Sequence, residues 1–283
     1  MQFLPFKQKF LGDHFGENNM PGFRLSGSPR SIAHFLGTII ICLLCAHAAG
    51  LVLRLGFGHD VVHGLVPLFN VDAEGNLPTF FSVCLGLCSA ALFALIALDA
   101  KNRGDRDAIY WTVLAVGFLF LSYDECFQVH EKMTGPVRAM LGGSDPANGA
   151  QLGLLYYSWV VPGLIGVFTA SLFFLKFMLR LPPATRRRML LAAGLFLSGC
   201  LGMELINGSV MESQGDSLLY NLLVMAEEGL EMTGMATLIY AMASHIAARC
   251  DRLEINLHAD TTAMVRQATP AQCTGAAART TSS

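Results

Sequence analysis

Charge is what this sequence has least of. Asp, Glu, Lys and Arg make up 14% of its 283 residues, where soluble domains carry about a quarter. Apolar and aromatic residues supply 53% and the mean hydropathy is +0.48, which argues against a soluble fold. A net charge of −2 and a pI near 6.4 leave no nucleic-acid footprint and no acidic-tail signature. Paired cysteine motifs are missing too. Cys42, Cys45, Cys84, Cys88, Cys126 and Cys200 fall within apolar runs, and Cys250 and Cys273 lie near the C-terminus. Without a repeated C-x-x-C spacing, neither a zinc ribbon nor a disulfide framework is supported. No apolar run follows closely on a basic start: about thirty mixed residues come first. The N-terminus therefore reads as a cytoplasmic segment rather than a secretory signal. No internal repeat is visible, which weakens the case for inverted-repeat transporter folds.

What the chain has instead is long apolar runs. A spanning helix needs roughly 20 predominantly apolar residues, and six segments qualify: about 31–57, 77–99, 108–131, 152–179, 189–212 and 217–248. Breakers separate them, from Gly56, Gly58, Pro67 and Gly75 in the first gap to Gln214-Gly215-Asp216 in the fifth. The expected fold is all-α, a polytopic bundle of six transmembrane helices. Residues 1–30 form a cytoplasmic segment, 31–249 the transmembrane domain, and 250–283 a disordered tail rich in Ala, Thr and Ser.

Basic residues supply an independent orientation. Lys7, Lys9, Arg24 and Arg30, then Lys101, Arg103 and Arg106, then Lys176, Arg180, Arg186, Arg187 and Arg188, and finally Arg249, Arg252, Arg266 and Arg279 share one side. Only Arg54, Lys132 and Arg138 fall on the other. Both termini are expected in the cytoplasm, with the first, third and fifth gaps facing outward.

Ionisable side chains at membrane depth cost roughly 2.5–3.5 kcal/mol each on insertion scales, yet this chain holds many. The third span closes with Asp124, Glu125, Gln128, His130 and Glu131; the fifth carries Glu204 and Asn207; the sixth carries Glu227, Glu228 and Glu231. The topology puts these acids at one depth in the outer half. Close carboxylates cannot all ionise without protons or cations to share, so the cluster reads as a functional polar site. On an ideal helix Asp124, Gln128 and Glu131 lie within about 60° of one another, and Glu227, Glu228 and Glu231 within about 100°. His130 points about 120° away from Asp124. Either the helix loosens before it or it faces another neighbour. Met225, Met232 and Met235 read as packing.

In the first outer loop, His59 and His63 stand four apart, a zinc-like spacing if helical. They lack the Glu of H-E-x-x-H and read rather as a wet turn. His47 reads as a helix–helix hydrogen bonder rather than a ligand.

Three motifs carry a resemblance. F-x-x-D-x-E-x-x-x-P covers Phe69 to Pro78 with Asp72 and Glu74; L-S-x-D-E-x-x-x-x-H-E covers Leu121 to Glu131; E-E-x-x-E-M-x-G covers Glu227 to Gly234. With the stretch Tyr157 to Pro162, they make the sequence resemble a family of uncharacterised bacterial multi-pass membrane proteins over roughly residues 35–245. That resemblance implies a bacterial inner (plasma) membrane location and this choice of site residues, and no reaction.

Two functions follow as expectations. One is a membrane enzyme in which Asp124, Glu125, His130, Glu131, Glu204, Glu227, Glu228 and Glu231 hold one or two divalent metal ions. The metal would activate water or dioxygen against a hydrophobic substrate. Asp72, Glu74, His59 and His63 are outer-loop candidates. Against it, the E-x-x-H pairs of di-iron bundles are missing. The other is a cation- or proton-coupled transporter, in which the acids carry the ion. Against that, Asp99 is the only acid near the inner end of a span. An accessory subunit whose acids only knit the bundle is a third reading. The bilayer is the one expected partner, and nucleic acid is not one.

Overall fold

A computed structural model describes residues 28–142 and 151–249. The expected cytoplasmic N-terminal segment and C-terminal tail lie almost wholly outside these described residues. Within them the regular structure is helical.

Helix α1, Pro29–Gly56, starts at Ser28, whose hydroxyl accepts the Ser31 N–H at 3.1 Å, and at Pro29, preset for a first turn. Its last turn, Val52–Gly56, widens to π geometry. A loop of short turns follows, bent by left-handed His63 and Gly64. Asn76 ends that loop. Its amide donates to the carbonyls of Asn70 and Ala73, while its oxygen accepts the Thr79 N–H and caps α2, Leu77–Asn102. Helix α3 is Ala108–Phe127, α4 is Val129–Met140, and α5 is Val160–Arg180. Helix α6 runs Pro183–Gln214 with a π segment at Ser198–Met203, and α7, Leu218–Ala247, is capped by Ser217.

Helix α7 is the axis of the bundle, packed against α1, α2 and α6, while α3 lies along α2. One buried cluster joins Phe93, Trp111, Phe177 and Met242; a second joins Ile40, Leu43, Leu85, Met232 and Met235. Outward, α3 and α5 present Val116, Phe120, Ile165, Phe168 and Leu172 exposed. Water does not tolerate so continuous an apolar surface, and lipid does. Among the described residues, α1, α2, α3, α5 and α6 are long and apolar enough to cross a membrane. The protein is thus an all-helical, multi-pass membrane protein. Helix α7 has 30 residues, but Glu227, Glu228 and Glu231 interrupt its apolar run.

Helices α6 and α7 touch through glycine. A Cβ on Gly234 would lie 2.6 Å from the Phe196 nitrogen, and one on Gly199 would lie 2.7 Å from Glu231 Cγ and 2.9 Å from the Glu227 carbonyl oxygen. Small residues admit this backbone approach, as in other membrane bundles.

Two expected spans change shape. The third ends at Phe127 rather than 131, and the chain then enters α4, which occupies much of the expected outer loop. The fourth begins at Val160 rather than 152, because 152–159 fold as a 3-10 turn and loop against the outer end of α6.

Candidate functional site: an acidic cluster at a helix break

The break after α3 builds the first part of the site. Gln128 adopts a left-handed conformation, φ 53° and ψ 45°, and its N–H closes α3 on the Asp124 carbonyl at 2.7 Å. Helix α4 restarts one residue later. Asp124 caps it: Oδ1 accepts the His130 backbone N–H at 2.9 Å, and Oδ2 lies 2.8 Å from His130 Nδ1. An accepting carboxylate places the proton on Nδ1. In the neutral ring Nε2 is then the acceptor edge, and it has no hydrogen-bond partner among the described residues. The seam of Asp124, Gln128 and Glu131 expected on an ideal helix is therefore corrected. The helix is not continuous through Gln128, Asp124 faces His130, and Glu131 is exposed.

The second part rests on the π segment of α6. It ends at Glu204, whose Oε1 accepts the Trp159 indole N–H at 2.8 Å. Trp159 also lies against His130, with ring centroids 4.6 Å apart. On its other side Glu204 reaches the carboxyl of Glu227, which also accepts from the amide of Asn207. Asp124, His130, Trp159, Glu204, Glu227 and Asn207 thus form one continuous chain across α3, α4, α6 and α7. Carboxyls in contact repel unless a proton or cation lies between them.

The remaining acids flank this chain. Glu228 and Glu231, one turn apart on α7, lie within electrostatic range of Glu125 and Glu204. Glu125 in turn lies within electrostatic range of Glu74 from the loop between α1 and α2. Partial burial raises Glu74 above the ordinary carboxylate range; Thr79 opposes this, and Glu131 and Asp124 add to it against His130. Asp72 is also raised, chiefly by partial burial, then by Asp216 and Glu204, against the Tyr220 hydrogen bond and Arg54. Tyr220 donates to Asp72 Oδ1 at 2.9 Å, and its oxygen lies 3.2 Å from the Tyr157 hydroxyl. His59 and His63 do not join the cluster. Both are exposed, and the residues between them are not helical, so they do not share a helix face.

Several polar contacts outside the cluster are not evident from sequence. Arg54 donates from Nη2 to Asn221 at 2.7 Å and to Asp216 at 3.2 Å. Arg138, 8% exposed, lies 3.6 Å from Glu212 and stacks over Tyr156. Glu212 also accepts the backbone N–H groups of Leu152 and Gly153, at 3.0 and 2.6 Å, and so ties α4 and the 152–159 loop to α6. In sequence these are ordinary charges; only their partners, most of them distant in the chain, set them apart. His47 accepts the Val71 N–H at 3.2 Å, so its partner is the outer loop rather than another helix. At the far end of the bundle from the acids, His245 meets Thr185 at 3.1 Å, both buried.

In chemistry, an oxygen-rich set with one imidazole suits a hard divalent cation. As they lie, no three His, Cys, Asp or Glu side chains among the described residues close on one point.

Nothing among curated proteins or solved structures matches the chain. Residues 36–246, which include every acid of the cluster, match a family described as a domain of unknown function. The chain belongs to that family, DUF8692.

Proposed function

We propose that the protein is a six-pass membrane enzyme with both termini in the cytoplasm and an acid–base site in the outer half of its bundle. Helix α7 is the sixth span: its three carboxylates turn inward among other helices, where their cost is shared. The asymmetry of basic residues gives the orientation, and the bacterial inner membrane is the setting that such a chain fits. The motifs at Asp72, Asp124 and Glu227 are those we take family members to share.

The observation that carries the catalytic reading is the Asp124–His130 pair. A carboxylate holding Nδ1–H leaves Nε2 as a directed lone pair, the arrangement of both metal-ligating imidazoles and general bases. His130 Nε2, Glu125, Glu228 and Glu231 are the groups that would hold one or two divalent ions, with Glu74 beside them. A bound ion would supply Lewis-acid activation of water or an oxidant. Glu204, aligned by Trp159, and Glu227 hold the adjacent proton. The apolar surfaces of α3 and α5 favour a hydrophobic substrate that arrives from the bilayer.

The test is metal analysis of the purified protein, repeated on Glu204→Gln and Glu228→Gln. We expect bound divalent metal in the wild type and at least about tenfold loss of affinity in Glu228→Gln, the scale seen when ligand or supporting shells are cut. Metal-free wild-type protein of undiminished thermal stability would defeat the metal reading.

One observation favours a second reading. Glu204 and Glu227 lie close enough to share a proton, Asn207 donates to Glu227, and the buried Thr185–His245 pair gives the other half of the bundle a polar group. A proton- or cation-coupled transporter would use both. Proton or cation flux into proteoliposomes under an imposed gradient, lost in Glu227→Gln, would favour transport over catalysis.

A further inference from the structure

A second polar site lies apart from the acidic cluster, where the end of α1 meets the first loop. There a cavity of about 320 Å³ is lined by His47, Gly50, Leu51, Arg54, Asp60, Val66, Pro67, Asn70 and Asp216. His47 is 2% exposed. Its Nδ1 accepts the Val71 N–H, so Nε2 carries the ring hydrogen, and Nε2 is buried without a hydrogen-bond partner among the described residues. Arg54 spends Nη2 on Asp216 and Asn221, and its Nε–H is also buried and unpartnered. Two buried donors without partners are costly unless a ligand meets them.

The opposite chemistry lines the rim. Asp60 is exposed, and the Asp216 side chain is 55% exposed beside Arg54. A simple anion would satisfy His47 and Arg54 but face two carboxylates. A simple cation would suit the carboxylates and leave both buried donors unpaired. A zwitterion answers both. The inner surface is apolar, formed by Gly50, Leu51 and Val66, and on α1 the neighbouring Val52 and Leu55 are exposed. The cavity thus stands at the end of a lipid-facing helix, at the level of headgroups.

We propose that this cavity binds a phosphoethanolamine group, with phosphate oxygens on His47 Nε2–H and Arg54 Nε–H and the ammonium on Asp60 and Asp216. Two sources carry that chemistry, a zwitterionic phospholipid and free phosphoethanolamine. The apolar lining and the position on α1 favour the lipid. The inference rests on the membrane-spanning fold and not on the acidic site, so metal content and headgroup binding fail independently.

The experiment measures binding of dihexanoyl-phosphatidylethanolamine, dihexanoyl-phosphatidylglycerol and free phosphoethanolamine to the full-length protein in detergent. Asp60→Asn and His47→Gln are measured beside the wild type. We expect saturable binding of the ethanolamine lipid, about tenfold tighter than the glycerol lipid, the worth of one charge-assisted hydrogen bond. Asp60→Asn, at an exposed position that does not test folding, should erase that preference. His47→Gln should weaken both lipids. Free phosphoethanolamine binding as tightly as the lipid would support the site and make its ligand a soluble zwitterion. Equal affinity for the two lipids, or a preference that survives in Asp60→Asn, would overturn the proposal.

Discussion

Gln128 decides how α3 hands over to the site. A left-handed residue costs a non-glycine L-amino acid about 1–2 kcal/mol, and the Asp124 contacts to His130 offset it. Gln128→Gly should therefore raise thermal stability slightly, while Gln128→Val should lower it by about 1–2 kcal/mol or more, because β-branched side chains fit this region worst. Thermal unfolding in detergent checks both; equal melting temperatures for the two would contradict the assignment. Glu74 gives a pH signature. Its raised folded-state pKa means that the folded chain keeps a proton the unfolded chain has released. Its stabilising contribution is full below the ordinary carboxylate range and is lost as pH rises through the raised value. Between about pH 4 and pH 7 the melting temperature of Glu74→Gln should fall less than that of the wild type. Parallel pH profiles would remove Glu74 from the electrostatics of the cluster. Sequence reading pointed to the acids because charge inside apolar runs is rare, but it did not place His130. Nothing marks Gln128 as a helix breaker, so the ideal-helix angles carried Asp124 toward Glu131 and away from its actual partner.

At the level of elements, the α6–α7 contact is set by close backbone approach. Gly199 and Gly234 face backbone or near-backbone atoms that cannot step aside. Gly199→Ala and Gly234→Ala should each destabilise by about 1–3 kcal/mol or more through overpacking. Gly117→Ala, on the open side of α3 with nothing within 4 Å, should be neutral or mildly stabilising. Melting temperatures of the three variants decide it, and a tolerated Gly234→Ala would mean that the helices are less closely apposed than described. Element positions were largely readable from the apolar runs, since a membrane core demands them. Two were not. Helix α4 is short and polar enough to pass for a loop, and its packing depends on Arg138 meeting Glu212, a contact no local pattern announces. Residues 152–159 look hydrophobic enough for a span but are held as a loop by the Glu212 carboxylate.

For the whole molecule, the proposed orientation follows from basic residues alone and can be checked without knowing the reaction. Alkaline phosphatase, which works only outside the cytoplasm, should be active when fused after Gly75 or Gly142 and inactive when fused after Arg106 or Arg249. Activity after Arg249 would make the span count odd and return α7 to the status of an interior helix that does not cross. The acids of α7 interrupt its apolar run, so the helix at the centre of the bundle looks less like a span than the other five.

The π segment of α6 has a consequence for insertions and deletions. A π turn contains one residue more than an α turn, so the outer portion of α6 is rotated by about 100° against the inner portion. Removing one residue between Cys200 and Met203 would let the helix close into regular α geometry while Gly199 keeps its close approach to α7. Glu204 and Asn207 would then swing off Glu227 toward the lipid. The alignment of the acidic chain is thus stored as a residue count, and a one-residue deletion there would dismantle it while every acid remained in the sequence.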